Sequence, residues 1–189
     1  MKILFYLILL LSIFSCNRQT KNIEQKGIDD TFLNIVDSTL IDRRTYIGFD
    51  YSKKQIDSIR KDTISRIVAI RNEMTGIHEY DLKEIPTKFK ISDDLISRIN
   101  AEKYNSQKYK FKDLSTLPFE ESFDNWANKY KTFSGVLEFS HIYFDGNLNN
   151  GVLTVTYSCN IRCSVTYLVY ILKDENKWKI KKVQKIGIS

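Results

Sequence analysis

Val152-Leu153-Thr154-Val155-Thr156-Tyr157-Ser158 is the stretch on which the fold turns. β-branched and aromatic residues fill it, and such side chains pack well on a pleated surface but lose rotamer freedom in a helix. It reads as a strand, with similar runs on both sides. Upstream, Val136 to Phe144 is β-patterned and is joined to it by Asp145-Gly146-Asn147-Leu148-Asn149-Asn150-Gly151, rich in turn-forming residues. Downstream, Val165 to Leu172 follows the segment Cys159 to Cys163, and Asp174-Glu175-Asn176 turns the chain into a last run, Trp178 to Ile188. Short consecutive strands with tight connections pair antiparallel, so the final third predicts a meander of about four strands. In Lys177-Trp178-Lys179 the alternation puts the indole on the buried side and both lysines in water.

Working outward, Phe32, Ile35, Val36, Thr39 and Leu40 recur at helical spacing, with Asp29 and Asp30 near the start. Ile56, Ile59, Thr63, Ile67, Ile70 and Met74 also fall three and four apart. Ile64, Arg66, Val68 and Ile70 alternate as well, so Ile64 to Ile70 fits helix or strand. Ser92-Asp93-Asp94-Leu95 resembles a helix start, with Leu95, Ile96 and Ile99 as a short apolar face. Tyr109 to Leu114 reads as an isolated strand. Pro118 opens a helix whose Phe119, Phe123, Trp126 and Tyr130 form an aromatic stripe, a pattern that describes a core face better than a cofactor box. The expected fold is therefore α+β, with N-terminal helices packed on a C-terminal antiparallel sheet of about four strands.

Phe139-Ser140-His141-Ile142-Tyr143-Phe144-Asp145, Tyr157-Ser158-Cys159 to Cys163, Tyr170-Ile171-Leu172-Lys173, Lys177-Trp178-Lys179-Ile180 and the closing Ile188-Ser189 together resemble a group of uncharacterised Bacteroidota lipoproteins. The glycines often found between the middle strands of that group are absent here, and Gly187 stands where the group often has tryptophan. The resemblance covers about 50 C-terminal residues. It implies an envelope location and this architecture, and it brings no catalytic residue with it. The helix-and-curved-sheet layout is similar in shape to the cystatin-like and nuclear transport factor 2-like folds.

The first residues fit an export signal. Lys2 supplies the positive end, Leu4 to Phe14 is apolar apart from Ser12, and Ser15 precedes Cys16. The run is shorter than the roughly 20 apolar residues that span a bilayer, and Asn17 to Lys26 is largely polar. Ile13-Phe14-Ser15-Cys16 resembles a bacterial lipobox, with Phe14 larger than the residue that motif prefers. Cys16 is thus the expected lipidation site. Acyl chains there would anchor stably, since each buried methylene contributes about 0.8 kcal/mol. The expected organisation is a signal peptide over 1–15, a polar tether over 16–27 and one α+β domain over 28–189, on the periplasmic face of the outer membrane. The alternative is an ordinary secretory signal with an incidental cysteine.

The chain has 189 residues and a formal charge of +6. A basic balance can signal nucleic acid, but export removes that partner. The membrane, and an envelope protein or small ligand, remain. Lys108-Tyr109-Lys110-Phe111-Lys112 alternates as the last strand does, so its lysines read as a wet strand face.

Little points to chemistry. Cys159 and Cys163 bracket a three-residue turn between two strands, close enough for a disulfide in an oxidising compartment; two free thiols are the alternative. The spacing of thioredoxin-like redox sites is missing. His78, with Glu79, Asp81 and Glu73 nearby, forms an acid–base cluster or a solvated loop. His141 lies beside Ser140 with no evident third group to orient it. Neither histidine sits at zinc-ligand spacing from the cysteines, and no nucleophile elbow, metalloprotease helix or phosphate loop occurs. No metal or cofactor is expected. The reading favours a non-enzymatic binding or structural module; the alternative is a pocket-based hydrolase or isomerase using Tyr, Asp or His.

Overall fold

The computed structural model describes residues 23–46, 52–61, 63–91, 95–118, 123–160 and 162–188. Its frame is a mixed sheet of seven strands, ordered β2-β1-β3-β5-β6-β7 with β4 paired to β5. These are β1 (Arg66–Thr75), β2 (Tyr109–Asp113), β3 (Phe133–Ser140), β4 (Tyr143–Phe144), β5 (Asn150–Asn160), β6 (Cys163–Asp174) and β7 (Lys177–Ile188). From β3 to β7 the pairing is antiparallel, in register Leu137↔Tyr157, Val155↔Tyr167 and Val169↔Val183. The expected meander is present, with Trp178 2% exposed and its two lysine neighbours in water.

The sheet is larger than the expected four strands, because β1 and β2 join it in parallel and the run expected as one strand, Val136 to Phe144, divides into β3 and β4. Ile64 to Ile70 was ambiguous for a physical reason. Val68, Ala69 and Ile70 are all fully buried, and a strand covered on both faces loses the alternation that marks a half-exposed one. The helical spacing from Ile56 to Met74 spans two elements, the helix α3 (Lys53–Lys61) and then β1. β2 is an edge strand and not an isolated one. Its outward amides at Tyr109 and Phe111 are capped by Ser106 Oγ (3.1 Å) and Asn105 Oδ1 (2.6 Å), which blunts that edge.

The first helix, α1, covers 23–39. It includes the last five residues of the stretch expected as a tether, and Glu24 and Gly27 there are buried. Further short helices are α2 (Arg43–Tyr46), α4 (Glu79–Leu82) and α5 (Phe123–Lys129). Leu95, Ile96 and Ile99 do not form the expected helix. Arg98 bridges Glu73, and the amides of Ile96 and Ile99 go to Glu24 and to Asn72 O. The segment is held across β1 instead of closing its own turns. Ser92 to Asp94 and Phe119 lie outside the described residues.

Alternation along the strands sends side chains to two faces. On one, Val68, Ile70, Leu137, Phe139, Val155, Tyr157 and Val169 pack against Ile28, Phe32, Ile35 and Val36 of α1. Phe32 stacks on Tyr104 at 4.2 Å and on Phe139 at 5.3 Å. The helices do not all lie there. α5 covers part of the other face with Trp126, over Ala69, Phe133 and Val136, and the 77–89 segment covers another part over Val152 and Leu168. Gly135 shows how tight the packing is. Its φ is +124°, and a Cβ there would meet Ser158 O and the Tyr157 ring at 2.6 Å.

Candidate functional site

On the face away from α1, the two apolar patches leave a gap along β5. Thr154 and Thr156 continue from Val152 towards Ser158, and Thr156 Oγ1 lies 3.1 Å from Thr166 Oγ1. Where this strip meets β1 and α5 the surface opens into a cleft of about 630 Å³, a size that suits a small ligand.

Its floor comes from β1 and β3. Arg71 and Glu138 are register partners, and Arg71 Nε reaches Glu138 Oε2 at 3.1 Å, with both side chains well exposed. Beside them, Asp113 accepts from Asn72 Nδ2 (2.6 Å), Arg98 Nη2 (3.2 Å), and the Ser115 amide (2.9 Å) and hydroxyl (2.7 Å). Burial pushes the Asp113 carboxyl up, but the bonds from Ser115 and Asn72 and the Arg98 charge outweigh it, so it stays below the ordinary carboxylate value. Asn72 Oδ1 is buried with no hydrogen-bond partner among the described residues.

The apolar wall is Leu117, Phe123, Trp126 and Val136. Trp126 is fixed by its Nε1, which donates to Pro118 O at 3.2 Å, and by its edge-on contact with Phe133 at 5.8 Å. Ser158 and Asn160 form the rim. Arg43 ties rim to wall, since its Nε donates to Cys159 O at 3.0 Å and its Nη2 pairs with Asp124 of α5. An aromatic wall, two guanidiniums and three carboxylates, Glu73 among them, suit recognition of a ligand with an apolar face and a polar edge.

The residues singled out from sequence do not converge on this cleft. Cys159 and Cys163 lie at disulfide distance, with Cα atoms 5.4 Å apart, and both are buried in the α1-side core at the base of the β5–β6 turn. His78 precedes α4 and is exposed together with Glu79; of its cluster only Glu73 lines the cleft. His141 has the partner that its sequence neighbours lack. Glu24, fully buried, stands 3.3 Å from His141 Nδ1, and its two oxygens accept from the Ile142 and Ile96 amides at 2.9 Å each. Ser140 is also engaged, its hydroxyl donating to His141 O and accepting from Thr154 N. These groups hold the start of α1 against the β3–β4 corner. Cys16 lies outside the described residues.

Arg71, Arg98, Asp113 and Glu138 were not picked out from sequence. One signal was available for Glu138, a lone charge inside the apolar run Val136 to Phe139. Nothing in the sequence joins it to Arg71, because the parallel β1–β3 pairing brings together residues far apart in the chain. Among the described residues no helix is long and apolar enough to cross a membrane, and no cluster of metal-ligating side chains occurs. Compared with known proteins, the chain matches no family model, no curated sequence and no solved structure.

Proposed function

We propose that the protein is a cell-envelope lipoprotein, anchored through Cys16 at the periplasmic face of the outer membrane and of the Bacteroidota type that its C-terminal third resembles. In this reading it is a binding module, and the cleft between β1, β3 and α5 takes a small ligand. One observation carries the choice of a binder over a pocket-based hydrolase or isomerase. The α1 side of the sheet is filled, and in the open cleft Arg71 and Glu138 are exposed and paired, while the partly buried Asp113 is held by Arg98, Asn72 and Ser115 with its carboxyl below the ordinary value. Acid–base work calls for a group desolvated and poised to change its protonation. His141, the best candidate for it, is turned to Glu24 in a structural contact.

The test is native mass spectrometry on protein released gently from its own envelope. A small molecule should travel with the wild type and be lost from Arg71→Ala while the melting temperature stays close to that of the wild type. A ligand-free wild type, or a ligand retained equally by Arg71→Ala, would contradict the assignment of the cleft.

A further inference from the structure

The start of α1 fixes where an anchor at Cys16 would act. Glu24 is fully buried and bonded to Ile96, His141 and Ile142, so this end of the helix cannot lift from the sheet without exposing several polar groups. Seven chain steps separate Cys16 from Ile23. At full stretch they reach about 25 Å, whatever conformation they take. The end of the domain around the β3–β4 corner therefore stays near any surface in which Cys16 is embedded.

That end carries exposed lysines and an exposed apolar residue. Lys90 pairs in both directions with the backbone of Phe144 (3.0 Å each way), two residues from the Glu24-bound Ile142. Ile91, 41% exposed, follows it directly. Lys88 lies beside the 145–148 turn, with Lys90 and Ile91 around the same shallow depression. Lys26 is exposed on the first described turns of α1. Of the described acids here, Asp145 binds the amides of Asn149 and Asn150 and the Asn150 side chain, Asp30 accepts from the Trp178 amide, and Asp174 pairs with Lys179. None of the three lysines is in an ion pair among the described residues.

We propose that this end, with Lys26, Lys88, Lys90 and Ile91, lies against anionic lipid headgroups. Charge alone does not choose it, because Lys53, Lys54 and Lys61 cluster on α3 at the opposite end. The attachment point favours it, because turning the α3 end to the surface would stretch those seven steps to their limit. α1 is about 25 Å long, so with the α1 start at the membrane and the helix standing away from it, α3 lies well beyond the roughly 8 Å over which surface charge acts at physiological salt. Basic side chains near a membrane surface are drawn to anionic lipid, and an apolar side chain among them can enter the headgroup layer. The inference rests on the lipid-anchor reading.

The experiment reconstitutes the mature protein in nanodiscs of phosphatidylcholine alone and of phosphatidylcholine with phosphatidylglycerol. An amine-acylating reagent and peptide mass spectrometry then read each lysine. Lys88 and Lys90 should label about threefold or more slowly on the anionic discs, the difference fading as salt rises, while Lys53 and Lys54 label equally on both. Lys88→Glu with Lys90→Glu, both exposed, should remove the protection of Lys26 without moving the melting temperature. An acylated protein whose Lys88 and Lys90 label equally on both discs overturns the docking alone. An intact mass without acyl chains overturns the anchor, and the docking falls with it.

Discussion

The two faces of the sheet are built from the same strands and do different things. Towards α1, apolar residues from all seven strands meet one helix in a continuous core. On the other face, two separate apolar patches leave hydroxyls and ion pairs between them. A strand such as β5 supplies both faces by turns, with Val155 and Tyr157 inward and Thr154 and Thr156 outward. The lesson is that the filled core and the proposed binding face are divided by side-chain parity along single strands, not by region of sequence. Substitutions two residues apart should then act alike, and substitutions one residue apart should differ.

The largest effects belong to the filled face. Trp178→Ala removes a nearly buried ring that packs on Phe144 at 5.5 Å, and should cost about 3 to 5 kcal/mol in chemical denaturation. An unchanged midpoint would mean that the β7 register is wrong. Glu24→Ala should follow, at about 3 kcal/mol, because it strands two buried amides and the His141 imidazole. Glu24→Gln, which retains an acceptor, should recover part of the loss.

The cysteine pair is intermediate. Buried on the α1 side but joined through Arg43 to the cleft wall, it should form a disulfide in protein taken from the envelope. Unreduced peptide mass would then be about two units below the dithiol form. Replacing both cysteines with serine should cost about 2 kcal/mol on loop-closure grounds, and free thiols would show the pair to be incidental. The smallest effect lies on the open face, where Arg71→Ala breaks an exposed pair and should change stability by less than about 1 kcal/mol. A loss as large as that of Trp178→Ala would erase the distinction between the faces.

Acid should weaken the attachment of α1. Asp29 and Asp37 lie on α1, and burial pushes both carboxyls up. Hydrogen bonds from Lys103, Tyr104 and Gln25 to Asp29, and from Lys108 and Tyr109 to Asp37, bring both below the ordinary carboxylate value. A carboxyl held lower when folded than when unfolded stabilises fully above the unfolded value. That contribution is lost as the pH falls below it, through the folded value. The melting temperature should therefore drop below about pH 4, and Asp37→Asn should flatten that drop. A slope unaltered by Asp37→Asn would contradict the assignment.

Much of this frame is legible in the residues. The β5–β7 meander declares itself by turn chemistry and alternation, and Trp178 between two lysines gives its own register. What stays hidden is set by long-range pairing. β1 is covered on both faces and so has no period to read, and Arg71 meets Glu138 only because β1 runs parallel to β3. Glu24 looks like one more polar residue of a tether until three distant groups close on it. The cleft is assembled the same way, from β1, β3, β5, α5 and the turn after β2, with no local motif to announce it.

The central claim is that the filled face seats the domain on a helix whose start is tied to a lipid anchor at Cys16. The most direct measurement is metabolic labelling with a fatty-acid analogue in cells making the wild type or Cys16→Ala, followed by membrane fractionation. The account predicts label and membrane retention for the wild type, and loss of both in Cys16→Ala. Equal labelling and retention of the two proteins would contradict it.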